Sequence, residues 1–392
     1  MKLAFLCNNM KSTNGVERVL SQRLSLLAES GMYEVYLITY NQYGAPFSFP
    51  ISDKVHYIDL ATRYMNKCSF HGFYQYWDRF VSKRQYENAI RVCIEHILPD
   101  VITCVDIHLA DLLTIVNLKT DAAKVVECHC GLSAYFGDLN KIESPCERYF
   151  KRLLKKRIVR TIKRFDKIVV MTSAELIDWN NEAKAICIPN MLSYNSNVMS
   201  DAYQVKYRIC SVGRYAYQKG YDLLVDAWKI VQTKHPDWSL HIYGSHDGDM
   251  GDYNKIESKI VNEDICNLYL HSVADDVCIK YLESDFYVMS SRYESFGMTL
   301  IEAMSCGLPV VSFNCRYGPC SIVKDGSTGI LVPQNDVEKL ADAICLIIED
   351  EELRYRMREN ARIESKKYLP EKIMPLWHEF YKSLGKGHPI DT

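Results

Sequence analysis

The chain is predicted to be an α/β protein of two Rossmann-like domains, each built on a doubly wound parallel sheet, facing a central cleft. Three observations carry this expectation. Strand and helix patterns alternate through the first half, a second alternating series runs from Arg208 to about Val332, and a polar, turn-rich stretch separates the two. At 392 residues the chain exceeds one ordinary core, and its length suggests about two domains.

Taken in order, the first strand spans Lys2 to Cys7, where Asn8 and Asn9 end the apolar run too early for a signal peptide. A cytoplasmic protein is therefore expected. A helix from Val16 to Ser30 and a strand from Glu34 to Thr39 follow, and the pattern resumes at Val101 to Val105, Lys124 to Cys128 and Lys167 to Met171. Residues 1–190 make the first domain. Pro-Asn-Met-Leu-Ser-Tyr-Asn-Ser-Asn then marks a boundary, with the hinge at 191–206 and the second domain at 207–369. That domain holds strands at Arg208 to Val212, Leu240 to Tyr243, Phe286 to Ser290 and Pro309 to Phe313. The last helix, 370–384, sets Ile373, Leu376, Trp377, Phe380 and Tyr381 on one stripe.

Composition removes several classes of function. Hydrophobic and charged contents of 48% and 24% are those of a soluble globular chain, and a net charge of -2 gives no field for nucleic acid. No run approaches the roughly 18 apolar residues of a spanning helix. The 15 cysteines are scattered, with Cys7, Cys104, Cys210 and Cys345 inside predicted elements, which reads as reduced, buried thiols. Cys128 and Cys130 stand one residue apart, which is not a zinc spacing, and no metal is expected.

The chemistry concentrates in Asp285 to Phe313, where an apolar run, a loop, a helix opened by Gly297 and a second apolar run make one βαβ unit. Ligands of parallel sheets gather at such strand ends, and a helix start binds anions through amides that lack internal partners. The amides of Phe296, Gly297, Met298 and Thr299 are placed to cradle a diphosphate. Glu294 and Glu302 frame them, with seven residues between. Beside an anion site, Glu294 suits sugar hydroxyls and Glu302 a ribose diol. An acidic first turn on a solvated helix face is the other reading of the same glutamates.

Further candidates occupy other strand ends. Asn8 to Gly15 closes as Thr-Asn-Gly-Val-Glu-Arg at a helix start, a second anion site or an ordinary turn. Ser-Val-Gly-Arg-Tyr-Ala-Tyr-Gln-Lys-Gly brings Arg214 and Lys219 to a third. His129 follows its strand in Glu-Cys-His-Cys-Gly. Arg148 to Arg164 carries nine Lys or Arg and no acid, interleaved with Tyr149, Phe150, Leu153 and Leu154. That basic amphipathic helix fits an anionic membrane surface, or it is a solvated face. The aromatic stretch His71 to Phe80 is a weaker acceptor-side candidate.

The run Ser-Arg-Tyr-Glu-Ser-Phe-Gly-Met-Thr-Leu-Ile-Glu-Ala-Met-Ser-Cys-Gly-Leu-Pro-Val-Val resembles the signature of the family 4 retaining glycosyltransferases, which have the GT-B fold. The resemblance implies that Glu294 contacts the donor sugar, that Glu302 holds the nucleotide ribose, and that the amides of Ser295 to Thr299 bind diphosphate and sugar. Arg214 and Lys219 match the family's Gly-Arg-(four residues)-Lys-Gly clamp at the same spacing. Gly15 matches a Gly-Gly-x-Glu-Arg loop in which Asn14 replaces the first glycine, Asn being tolerant of left-handed backbone. His129 matches a histidine placed near the transferred sugar, and Leu270 to Ala274 the nucleobase lining. Ser321 stands where the family has a glutamate.

By that resemblance the chain transfers a sugar, most simply from a UDP-sugar, to a hydroxyl of a glycan or lipid-linked acceptor at the inner face of the cytoplasmic membrane. Configuration is kept, and no metal or other cofactor is needed. The Asp247-Gly248-Asp249 triplet is of the kind that holds a divalent ion in a different, single-domain glycosyltransferase fold. The family also sends its last helix back to the first domain. A GT-B sugar-nucleotide epimerase and a non-catalytic sugar-nucleotide binding subunit are the competing readings.

Overall fold

The computed structural model describes residues 1–62, 73–105, 107–129, 131, 135–136, 144–179, 184–193, 204–245 and 250–385, without the side chains of 73–80 and 250–251. Asp247 and Asp249, Cys130, hinge residues 194–203, His71 and the side chains of 73–80 lie outside the described residues. The chain divides into two compact units. One comprises Met1–Met171, Leu176–Ile188 and Met374–Thr392, the other Thr172–Glu175 and Pro189–Ile373.

The first unit has a seven-stranded sheet of β1 (Lys2–Cys7), β2 (Glu34–Thr39), β3 (His56–Asp59), β4 (Val101–Cys104), β5 (Ala123–Cys128), β6 (Lys167–Val170) and β7 (Ala185–Cys187). Its order is β3-β2-β1-β4-β5-β6-β7, and the ladders are parallel. The apolar character of the central strands follows from burial on both faces. Leu6, Ile38, Ile102, Val126 and Ile168 share a core with Ile90 and Ile115 of two covering helices.

The second unit has six strands, β8 (Arg208–Val212), β9 (Ser239–Tyr243), β10 (Leu268–His271), β11 (Phe286–Met289), β12 (Val310–Phe313) and β13 (Gly329–Val332). They run in the order β10-β9-β8-β11-β12-β13, again parallel. Ile209, Leu240, Phe286 and Val311 pack with Leu224, Trp228 and Ile344 from the helices above them. Trp228 is fully buried and places its indole N–H on the Cys266 carbonyl at 2.9 Å, so the ring fills the core without a lost hydrogen bond.

Chain order reverses direction in each sheet at one place, between β1 and β4 in the first unit and between β8 and β11 in the second. Loops leaving the carboxyl ends of such strand pairs part to opposite sides and open a crevice, the usual ligand site of this architecture. The loop that ends at Gly15 leaves β1. The loops that carry Lys219 and Glu294 leave β8 and β11.

Some boundaries differ from those read in the sequence. The division falls at Ile188/Pro189, not within a hinge at 191–206, because both ends of that stretch are tied into the second unit. Leu192 N–H donates to the Tyr368 carbonyl at 2.8 Å, and Lys206 N–H to both Asp285 carboxylate oxygens at 3.0 Å. Helix Pro370–Leu384 joins the first unit from Met374 onward, where Tyr381 meets the Phe5 ring edge-on at 6.4 Å. Edge strands β3 and β7 were not anticipated.

Candidate active site

Two loops of the second unit are fastened side by side. The first runs from β8 through a 3-10 turn at Tyr217–Lys219 to helix Tyr221–Lys234, with Gly220 between them at φ 63°. The second runs from β11 to helix Met298–Ser305, entered through Gly297 at φ 93°. Neither glycine has a side chain to cap its helix. At the first, the Asp222 carboxylate accepts from the Asp222 and Leu223 amides. At the second, Leu300 N–H donates to the Gly297 carbonyl at 3.0 Å, and the amides of Met298 and Thr299 precede it at the helix start, where an anion is met.

Arg292 does most of the fastening. Its guanidinium grips the Asp222 carboxylate in a fork, Nη1 to Oδ1 at 2.8 Å and Nη2 to Oδ2 at 2.6 Å, and Nη1 also donates to the Tyr217 carbonyl at 2.9 Å. Burial pushes the Asp222 carboxyl up, but the Arg292 hydrogen bond and charge outweigh it and hold the group below its ordinary range. Main-chain and side-chain bonds complete the seam. Arg292 N–H donates to the Gln218 carbonyl at 2.8 Å, Gln218 Nε2 to the Tyr293 carbonyl at 3.1 Å, and Ser290 Oγ to the Lys219 carbonyl at 2.9 Å.

At the centre Lys219 Nζ meets Glu294 Oε1 at 2.6 Å, and Ser291 Oγ donates to the same oxygen at 2.8 Å. The lysine reaches there because its stem lies across Gly213. A Cβ on Gly213 would sit 2.8 Å from Lys219 Cε. An ammonium has three N–H donors, so one can hold Glu294 while the others remain for a second oxyanion. Around the helix start, the Tyr287 and Thr299 hydroxyls lie 2.9 Å apart, and Tyr281 donates to Glu302 Oε2 at 3.4 Å.

The two glutamates are buried, Glu294 to 7% and Glu302 to 3% exposure, so neither belongs to a solvated acidic face. The structure thus brings Lys219, Glu294 and the Ser295–Gly297 turn together, with Met298, Thr299 and Glu302 on the helix that follows. Phe296 contributes backbone only, since its ring is buried against Tyr368 at 5.7 Å. Arg214 is exposed at the end of β8 and makes no ion pair with a described residue. In the Leu270 to Ala274 stretch, Val273 is exposed.

In the first unit Gly15 opens helix Gly15–Glu29, whose cap residue Asn14 offers no side-chain bond. Asn14 has φ -80° and ψ 165°, extended backbone, so the left-handed turn expected there does not form and asparagine's tolerance of it is not used. His129 lies just past β5 with its Nε2 2.8 Å from Glu127 Oε2. Glu127 is itself fully buried and paired with Arg23, Nη2 standing 2.8 and 2.7 Å from the two carboxylate oxygens. Neither Glu127 nor Arg23 was singled out in the sequence, although a glutamate inside an apolar strand is a signal that a cation must be found for it.

The basic helix spans Pro145–Ile162 and is capped by Ser144, whose Oγ accepts from Glu147 N–H at 3.3 Å. Ile158 and Ile162 face the core, while Tyr149, Phe150, Leu153 and Leu154 are exposed beside Lys and Arg side chains. No helix among the described residues is long and apolar enough to cross a membrane.

Residues 200–364 match the family of glycosyl transferases group 1. Over 389 residues the chain is 29% identical to an uncharacterized glycosyltransferase of Haemophilus influenzae, covering 96% of this chain and 98% of that protein. It is 25% identical to the amylovoran biosynthesis glycosyltransferase AmsD of Erwinia amylovora, over 96% of this chain and 99% of the relative. Among solved structures, TarM superposes with a TM-score of 0.77 at 14% identity, covering 97% of this chain and 98% of TarM. The pneumococcal O-GlcNAc transferase GtfA, solved with UDP and GlcNAc, superposes with a TM-score of 0.73 at 14% identity, over 98% of this chain and 99% of that one. The chain thus has the GT-B fold of these structures, and its residues 200–364 match the glycosyl transferases group 1.

Proposed function

We propose that the chain is a glycosyltransferase that moves a hexosyl or N-acetylhexosaminyl group from a UDP-sugar to a hydroxyl of a glycan or lipid-linked acceptor, retaining configuration and using no metal ion. The observation that carries the reading is the Lys219–Glu294 pair, 2.6 Å long, beside an uncapped helix start at the switch point of the second sheet. A cation and a carboxylate so close together suit a substrate with a diphosphate on one side and sugar hydroxyls on the other.

The difficult step is departure of UDP, which builds negative charge on its terminal phosphate. Lys219 and the amides of Gly297, Met298 and Thr299 meet that charge where it develops, the role a divalent ion plays elsewhere. Arg214, exposed on the adjoining loop, closes on the same diphosphate. Glu294 and Ser295 hold the sugar, and Glu302 accepts from the ribose. The acceptor oxygen bonds to the anomeric carbon on the face that UDP leaves, and its proton passes to the departing phosphate oxygen. His129 stabilises the reacting end, and Gly15 offers amides to donor phosphate or acceptor.

The acceptor side adds a location, the inner face of the cytoplasmic membrane, because the exposed stripe of helix Pro145–Ile162 pairs aromatic with basic side chains. A panel of UDP-sugars, assayed for hydrolysis with and without vesicles rich in phosphatidylglycerol, tests both parts. Wild type should release UDP from one sugar and sediment with the vesicles, and Glu294→Ala should release at least about tenfold less. Equal release by the two proteins removes the assigned site. Protein that stays in the supernatant removes the membrane location.

A further inference from the structure

We infer that Arg23 and Glu127 are positioning residues, which fix His129 with its Nε2–H on Glu127 and its Nδ1 presented as an acceptor for a substrate hydroxyl. This rests on the sugar-transfer reading above. The geometry is over-determined. Glu127 is 0% exposed at the end of β5, and Arg23 is 1% exposed on helix Gly15–Glu29. A buried carboxylate is tolerated only when paired and hydrogen-bonded, and Arg23 Nη2 contacts both oxygens. The guanidinium is sandwiched in turn, its carbon 4.0 Å from the Trp377 ring centroid and 5.5 Å from that of Phe5.

Burial pushes the Glu127 carboxyl up, and the Arg23 charge together with the His129 hydrogen bond overrides it, leaving the group below its ordinary range. An anion can only accept, so the proton of the shared bond sits on His129 Nε2. The other ring nitrogen is then the informative one. His129 Nδ1 is buried and has no hydrogen-bond partner among the described residues. An ion pair that served the fold alone would need no histidine, and a structural histidine would tie its second nitrogen to the chain. A substrate O–H is the donor that completes it.

The test is a double-mutant cycle on the full chain, using whichever of UDP-glucose, UDP-galactose and UDP-N-acetylglucosamine the wild type hydrolyses fastest. His129→Ala and Glu127→Gln should each lower kcat on the order of 10²-fold while leaving UDP affinity unchanged. The double variant should be no slower than His129→Ala, because both changes remove the same contribution. Glutamine fails since Arg23 claims an acceptor at both positions of the side chain, and the amide nitrogen must occupy one. Losses that multiply overturn the inference.

Where Glu127→Gln does not fold, Arg23→Met with Glu127→Leu replaces the buried pair by apolar groups and keeps the fold, as thermal unfolding will report. Activity should stay down in that variant. Recovery of wild-type turnover there would reduce the pair to a structural one and overturn the inference. Wild type that hydrolyses none of the sugars overturns the sugar-transfer reading and this inference with it, whereas active wild type with multiplying losses overturns this inference alone.

Discussion

Lys219→Met is expected to lower UDP-sugar turnover by about 10²- to 10³-fold, the usual cost of removing one preorganised charge from a developing anion. Methionine keeps much of the stem that lies over Gly213 but brings no charge to the leaving phosphate. The substitution also leaves Glu294 with Ser291 as its remaining described donor, so the carboxylate is free to turn away from the sugar. Affinity for UDP should fall as well, by calorimetry. A variant that retains more than about a third of wild-type turnover would place the lysine outside the chemistry.

The second large effect is expected at Gly220, where two independent obstacles meet. Its φ of 63° is left-handed, and a Cβ would stand 2.1 Å from the Ser290 carbonyl oxygen. The left-handed cost alone is about 1–2 kcal/mol for an L side chain. The clash is worse, because a main-chain carbonyl at the end of β11 cannot swing aside as a side chain would, and the two site loops must separate. Gly220→Ala should lower the thermal midpoint by several degrees and weaken UDP binding more than about tenfold. Gly326→Ala is the control. At φ 74° with nothing within 4 Å of the added carbon, it should cost only the backbone strain and leave UDP binding intact.

Much of this site was legible because its parts are local. An apolar strand, a loop and a glycine-opened helix lie within 29 consecutive residues from Asp285 to Phe313, and a helix start after such a loop is the general setting of an anion site. The same is true of Lys219 before Gly220. What escaped was contact across sequence. Arg292 stood inside the recognised run, yet nothing near it names Asp222, 70 positions away. Arg23 and Glu127 are 104 apart, and an arginine on an otherwise ordinary helix carries no mark of its partner.

Strands β3 and β7 escaped for another reason. Each lies at a sheet edge and is short, four residues in β3 and three in β7, so neither is long enough to show the apolar run that burial on both faces imposes on a central strand. The turn at Asn14 shows the converse, a local rule applied where the backbone had no need of it. A residue able to adopt left-handed backbone sits there in extended conformation, because the helix start requires only an extended cap.

Lys219 and the Gly297 helix start are proposed to hold one diphosphate together. A crystal structure of the full chain with UDP tests it directly. The terminal phosphate is expected within hydrogen-bonding reach of Lys219 Nζ and the amides of Gly297 to Thr299, with the ribose on Glu302. Phosphates bound elsewhere on the second unit, with the Lys219–Glu294 pair untouched, would contradict it.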